Sequence, residues 1–402
     1  MFFYVARQPI LDREKSLIGY ELLFRDSIEN VFPQIDPHEA TSRLLAGSHF
    51  HLGIDNLTGS VPAFINFPEM SILVKVPELL PNNQVVIELL ESIAPSHELK
   101  AICQQLKQKG YKIALDDFVM QPHWLPILPY VDMVKIDFRA TSIDDIQSTC
   151  DQLASFDLEL LAEKIETHDE FNFAMTLGFD YFQGYFFSAP EVLKTRALKP
   201  NEINLVELLA KLGQESCDFN ELDTIIQRDV SLTYKLLRYV NSSFFNRRRE
   251  INSIRQALVY LGENEIRKFI ALLAAANLAE DKPSELIRLS ITRARFCELI
   301  AQQQAPEYAS KAFLLGLFSL ISAILDEPMD KVMSKLPLSD EIKLALLKRK
   351  GPLANYLSLI LDYERAVWDG VNALSSTIGV DTGQLPEFYM DAVGWSNSLL
   401  EQ

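Results

Sequence analysis

Through the first half of the chain, short runs of β-branched and aromatic residues alternate with stretches whose apolar positions recur every three to four residues. The first pattern suits half-buried or buried strands and the second amphipathic helices. Strands are predicted at Phe3–Ala6, Leu17–Phe24, Ala63–Phe67, Val85–Leu89, Lys112–Leu115, Met133–Ile136, Leu158–Ala162 and Tyr181–Phe187, with helices at His38–Gly47, His97–Lys109, Ile143–Ala154 and Asp169–Leu177. Strand and helix in alternation imply a parallel sheet with crossover helices, and eight strands before residue 190 suit a compact (β/α)8 barrel of the α/β class.

From about Asn201 the strand-like runs stop. Helical periodicity takes over at Asn204–Leu212, Glu221–Gln227, Leu232–Val240, Ile254–Leu261, Glu263–Leu278, Ser284–Gln303, Tyr308–Leu325 and Glu341–Lys348. Fresh helix starts are expected at Pro283 and Pro352, because proline is tolerated only in a first turn. The expected organisation is therefore a barrel over residues 1–192 and an all-α domain over 193–402, joined by a connector from Pro190 to Pro200.

Composition narrows the possible functions. The 402 residues carry 38 Lys+Arg against 55 Asp+Glu, a net charge of -17. Such a surplus repels nucleic-acid phosphates, so a sequence-independent DNA or RNA binder is not expected. Cys103, Cys150, Cys217 and Cys297 stand singly and read as reduced thiols. The N-terminus lacks the basic region of a signal peptide. The longest uncharged apolar run, Ala312 to Leu325, is shorter than a membrane span requires and reads as a buried helix. A cytoplasmic protein without membrane attachment is the expectation.

Functional groups of such a barrel stand at the carboxyl ends of its strands. Those ends carry Glu21 with Arg25, Asn66, Glu88, Asp116 with Asp117, Lys135, Glu163 with Glu166, and Gln183. Most interrupt or end apolar runs, as in Val85-Val86-Ile87-Glu88-Leu89, where a charge must be buried and therefore partnered. Several carboxylates at one barrel mouth need cations, and oxygen donors of this kind suit hard divalent ions. Two plainer readings stand beside this one: Lys135 paired with Asp137 or Asp132, and Asp116-Asp117 as a turn.

These residues resemble the EAL domains, the barrel phosphodiesterases that linearise cyclic di-GMP, over roughly residues 1–190. The likeness rests on Gln8-Pro9-Ile10, Tyr20-Glu21-Leu22-Leu23-Phe24-Arg25, Asn66, Glu88, Leu115-Asp116-Asp117-Phe118, Val134-Lys135-Ile136-Asp137, Ala162-Glu163-Lys164-Ile165-Glu166-Thr167 and Phe182-Gln183-Gly184-Tyr185. The resemblance implies that Glu21, Asn66, Glu88, Asp116, Asp117 and Glu163 hold two ions, Mg²⁺ or Mn²⁺. It implies that Lys135 positions or activates the attacking water, with Glu163 or Asp117 as proton acceptor and Gln183 in support. Glu166 would anchor the loop after Asp117, while Gln8, Leu23 and Arg25 would grip the dinucleotide. The product would be linear pGpG, with motility and biofilm formation as the processes controlled. The chain departs from the family at Leu22, where the signature has alanine, at Lys164, where a small residue is common, and at Val119-Met120-Gln121-Pro122-His123-Trp124, where active members are glycine- and serine-rich.

The second half resembles an HDOD domain, a helical relative of the HD metal phosphohydrolases. The segments that carry the likeness are Leu236-Leu237-Arg238-Tyr239-Val240-Asn241-Ser242, Ile251 through Leu258, Tyr260-Leu261-Gly262 and Leu314 through Ser319. All six histidines (His38, His49, His51, His97, His123 and His168) precede this half, so it cannot build a histidine-based metal site. A regulatory or partner-binding module is expected there, with a homodimer as a further option. Arg247-Arg248-Arg249 and His49-Phe50-His51 read as surface segments. Two functions remain open at this level: a cyclic di-GMP phosphodiesterase, and a catalytically silent adaptor that senses cyclic di-GMP or binds proteins.

Overall fold

The computed structural model describes residues 4–25, 54–188 and 235–400, apart from 55, 238, 242–250, 252, 279–281 and 337. The helices expected at His38–Gly47, Asn204–Leu212 and Glu221–Gln227, part of Leu232–Val240, the Pro190 to Pro200 connector, His49-Phe50-His51 and Arg247-Arg248-Arg249 lie outside these residues, as does the boundary at 192/193.

Eight strands close into a barrel in sequence order: β1 Tyr4–Asp12, β2 Leu17–Arg25, β3 Ala63–Phe67, β4 Val85–Leu89, β5 Lys112–Leu115, β6 Met133–Asp137, β7 Glu159–Glu163 and β8 Tyr181–Gln183. Strands β2 to β8 are mutually parallel. The expectation of an all-parallel sheet fails at β1, which runs antiparallel to both β2 and β8. A tight turn after Asp12, whose side chain accepts from the Glu14 and Ser16 amides, joins β1 to β2 as a hairpin without a crossover helix. β1 also extends six residues beyond its predicted end.

Side chains inside the barrel form two layers. Ile10, Phe64, Val86, Ala114, Met133 and Leu161 make an apolar plug, with Ile18 and Tyr181 packed on it. Two residues further along, on the same face of each parallel strand, come Asn66, Glu88, Asp116, Lys135, Glu163 and Gln183. Gly19 is the small member that makes room for the plug: a Cβ there would lie 2.7 Å from the Phe64 ring.

Helices α1 Glu69–Leu73, α2 His97–Gln108, α3 Ile143–Leu153 and α4 His168–Thr176 cover the outer wall. Ser96, Ser142 and Thr167 cap α2, α3 and α4, and Thr167 with Glu170 forms a full capping box. The hairpin β1–β2 has no such helix of its own, and the second half packs there instead.

That half comprises α5 Ile254–Leu278, interrupted at Gly262 where two predicted helices meet, α6 Ser284–Gln304, α7 Ala309–Leu317, α8 Ile321–Leu325, α9 Met329–Lys335, α10 Asp340–Lys348, α11 Pro352–Glu364, α12 Trp368–Ile378 and α13 Leu385–Leu400. Pro352 is the first residue of α11, as its sequence position predicts. Pro306–Leu325 is long and apolar enough to cross a membrane by composition, yet 67% of its most apolar window is buried within the fold. It is divided by a short 3₁₀ turn at Phe318–Leu320.

α11 and α13 pack against β1. Across this junction Tyr20, under the Arg7 guanidinium of its own half, donates to Glu285 at 2.6 Å, and Asn397 donates to the Asn56 carbonyl. Within the helical half, Arg293 grips Glu364 through two nitrogens, at 2.9 and 2.7 Å, and donates to Ser319. Both charges are buried, so removing one strands the other. Arg293→Ala is expected to lower stability by about 3–5 kcal/mol, measured as a shift of the urea-unfolding midpoint followed by helical circular dichroism.

Candidate active site

The polar layer converges on a lysine. Lys135, on β6, has no exposed side-chain surface, and its Nζ lies 2.6 Å from Glu88, 2.6 Å from Asp116, 2.8 Å from Glu163 and 3.8 Å from Glu21. The plainer pairings do not occur: Asp137 holds Lys164, and Asp132 pairs with Lys107. Asp116-Asp117 is more than a turn, since Asp116 reaches the buried lysine from the end of β5.

Electrostatics follow from this burial. Desolvation opposes the Lys135 charge, but Asp116, Glu163, Glu21 and Glu88 outweigh it and hold its pKa well above the usual lysine value. The ammonium is therefore a permanent donor and not a proton acceptor. Burial pushes Glu88 well above the ordinary carboxylate range against the pull of Lys135. It takes Glu163 up to about 8, with Asp116 and Glu21 adding to the rise. Asp117 is also raised, by partial burial and by Asp116.

Glu21 is oriented by two amides. Asn66 donates to one of its oxygens at 3.0 Å and Gln183 to the other at 2.5 Å, while Gln183 also donates to Gln8. The carbonyl oxygens of Asn66 and Gln183, and Glu88 Oε2, are buried without a hydrogen-bond partner. Orphaned oxygens of this kind beside carboxylates form a donor set that fits a hard divalent cation. Among the described residues, no three His, Cys, Asp or Glu side chains already surround a common point as in a formed metal centre, because the carboxylates turn onto Lys135.

The layer opens into a cavity of about 850 Å³, lined among others by Gln8, Glu21, Leu23, Asn66, Asp116 and Asp117. Glu163 and Gln183 also line it, whereas Glu88 and Lys135 lie beneath its floor. The Arg25 side chain is outside the described residues. Glu166 lies on the cavity edge and pairs with Arg139 at 3.2 Å. That loop is organised by aromatic packing: Phe118 and Trp124 are buried with ring centroids 6.0 Å apart, and Pro122–Trp124 forms a 3₁₀ turn. Leu22 faces away from the cavity, fully buried in the outer core, so the larger side chain does not intrude on the site.

Lys164 has a definite place. Its ammonium binds Asp137 and lies 3.5 Å from Asp117, on opposing backbones that both take left-handed conformations (φ 58° and 42°). Gly184 is required beside it: its φ is 141°, and a Cβ would stand 2.1 Å from the Ile165 carbonyl oxygen. Sequence reasoning missed Glu91, Ser92, Tyr185, Arg365 and Ala366 as lining residues. Arg365 and Ala366 come from the second half, and no local pattern announces a contact across 180 residues.

Comparison with known proteins agrees with this anatomy. An EAL domain model matches residues 28–190 and an HDOD domain model residues 201–330. The chain is 40% identical to the cyclic di-GMP phosphodiesterase CdgJ of Vibrio cholerae, over 98% of this chain and 93% of the relative. It is 35% identical to YuxH of Bacillus subtilis, an uncharacterized protein, over the full length of both. Among solved structures, a standalone EAL protein from Vibrio cholerae in its c-di-GMP-bound form is 24% identical, with a TM-score of 0.34 over 46% of this chain and 90% of that one. Two domains in this order, with a relative similar from end to end, settle the family: the chain belongs to the proteins that join an EAL domain to an HDOD domain.

Proposed function

We propose that the chain is a cyclic di-GMP phosphodiesterase that uses two divalent ions, Mg²⁺ or Mn²⁺, to give linear pGpG. The observation that carries this reading is the polar layer around Lys135, which opens on a cavity of a size suited to a small ligand. The name of the 40%-identical relative supports it.

Glu21, Asn66, Glu88, Asp116, Asp117 and Glu163 would hold the ions. Bound there, they would offset phosphodiester charge and lower the pKa of the attacking water. Lys135, permanently charged, positions that water and steadies the surrounding carboxylates. Glu163 or Asp117 is the proton acceptor, at a carboxylate oxygen facing the cavity. Gln183 and Asn66 fix the orientation of Glu21, Gln8 and Leu23 contact the dinucleotide from the cavity wall, and Arg25 is a further candidate for gripping it. The helical half, without histidines, serves regulation or partner binding.

Purified full-length protein incubated with cyclic di-GMP and Mn²⁺ is expected to form pGpG, followed by chromatography. EDTA should abolish the activity, and added Mn²⁺ or Mg²⁺ should restore it. Absence of product from the wild type with either metal overturns the reading. Glu21→Ala and Lys135→Ala should each lower kcat by about 10²-fold or more, with retained helical and strand circular dichroism as the control. Unchanged turnover in both would remove this layer from the mechanism.

A further inference from the structure

The cavity wall is not made by the barrel alone. Arg365 and Ala366, the turn that follows α11 in the helical half, line it together with Gln8, Gln183 and Tyr185. The turn is held firmly. The preceding Glu364 is clamped by Arg293, and its carbonyl accepts from Gln8 Nε2 at 3.5 Å. The following Ala366 adopts a left-handed conformation, with φ of 55°. Between them the Arg365 guanidinium lies over the Tyr185 ring, 5.1 Å from its centroid.

Charge gives this placement its meaning. Carboxylates dominate the lining, and of its two cations Lys164 is bound to Asp137. Arg365 makes no ion pair among the described residues, and Arg349 lies close enough to feel the positive field of Arg365 and Arg293. An exposed guanidinium stacked on an aromatic ring keeps its edge donors for a planar or tetrahedral oxyanion. A cyclic dinucleotide carries two phosphodiesters, and on the reading above the carboxylate layer with its ions would take one.

We propose that Arg365, supplied by the helical domain, binds the second phosphate of the substrate, so that the phosphodiesterase pocket is completed by the HDOD half. This rests on the cyclic di-GMP reading above. In the full-length enzyme, Arg365→Ala should raise KM for cyclic di-GMP about tenfold or more while kcat changes less than twofold. Arg365→Lys should recover part of the loss. KM of the wild type should rise with added salt more steeply than KM of Arg365→Ala, a difference that a purely structural role would not produce. Calorimetric binding of cyclic di-GMP to the same proteins without turnover, in EDTA, gives a second arm, in which the variant should bind at least about tenfold more weakly. Equal KM and equal affinity in wild type and Arg365→Ala overturn the proposal while leaving the phosphodiesterase reading intact. A wild type that binds but does not cleave overturns the catalytic reading and leaves the affinity comparison to decide on Arg365. A wild type that does neither overturns both.

Discussion

A lysine without solvent contact at the centre of a barrel can exist only if its surroundings restore what water would have given it. Here four carboxylates do so, and each is delivered by a different strand: Glu21 by β2, Glu88 by β4, Asp116 by β5 and Glu163 by β7. The dependence is mutual, since Glu88 has no exposed surface either and Lys135 is the cation that opposes the rise burial imposes on it. The register of the barrel is thereby constrained. A one-residue slip of any of these strands would send its carboxylate outward into the apolar outer core and an apolar side chain onto the ammonium. The apolar plug below and the lysine above specify the same register, and this agreement gives the site its rigidity.

The reversed first strand obeys the same two-layer rule. On the parallel strands the plug residue precedes the polar one, as in Phe64 then Asn66, or Val86 then Glu88. On β1 the order is inverted, with Gln8 before Ile10, because the strand runs the other way through the same layers. A hairpin in place of a strand–helix–strand unit joins β1 to β2 with no crossover helix between them. On the outer face of this hairpin Tyr20 donates to Glu285 of the second domain, while Arg7 donates to the Leu57 carbonyl of the barrel half. The inverted strand and the docking of the helical half therefore meet at one hairpin.

Much of this was legible in the chain. β3, β4 and β5 begin and end where their alternation of β-branched residues begins and ends, and Glu88 and Lys135 announce themselves as charges inside runs that must be buried. The reversal of β1 was written in the inverted order of Gln8 and Ile10, but the strand was read as ending at Ala6, before either residue. The convergence of carboxylates on Lys135 was not legible, because pairing partners on β4, β5 and β7 are set by barrel closure and not by spacing; by spacing alone Asp132 and Asp137 were the nearer candidates. The start of α11 at Pro352 was legible, but its extent, and the whole of α12 and α13, were not. α11 and α13 are apolar on more than one face because they are buried between neighbours, so the three-to-four periodicity that marks a surface helix is blurred.

Neighbouring residues on β2 tie the domain junction to the chemistry. Tyr20 points outward, where burial and the adjacent Glu285 raise its pKa well above the usual tyrosine value and keep it a donor to that carboxylate. Glu21 points inward and is held by Asn66 and Gln183. One peptide unit separates a hydrogen bond to the helical domain from a carboxylate of the active layer. A second link runs through β1, where Gln8 joins Gln183 on one side and the Glu364 carbonyl on the other. Any shift of α6 or α11 relative to the barrel must be absorbed by strands whose inward side chains are packed around a buried charge. Packed interiors do not deform smoothly. The helical half is thus mechanically continuous with the polar layer through β1 and β2, the two strands that it covers.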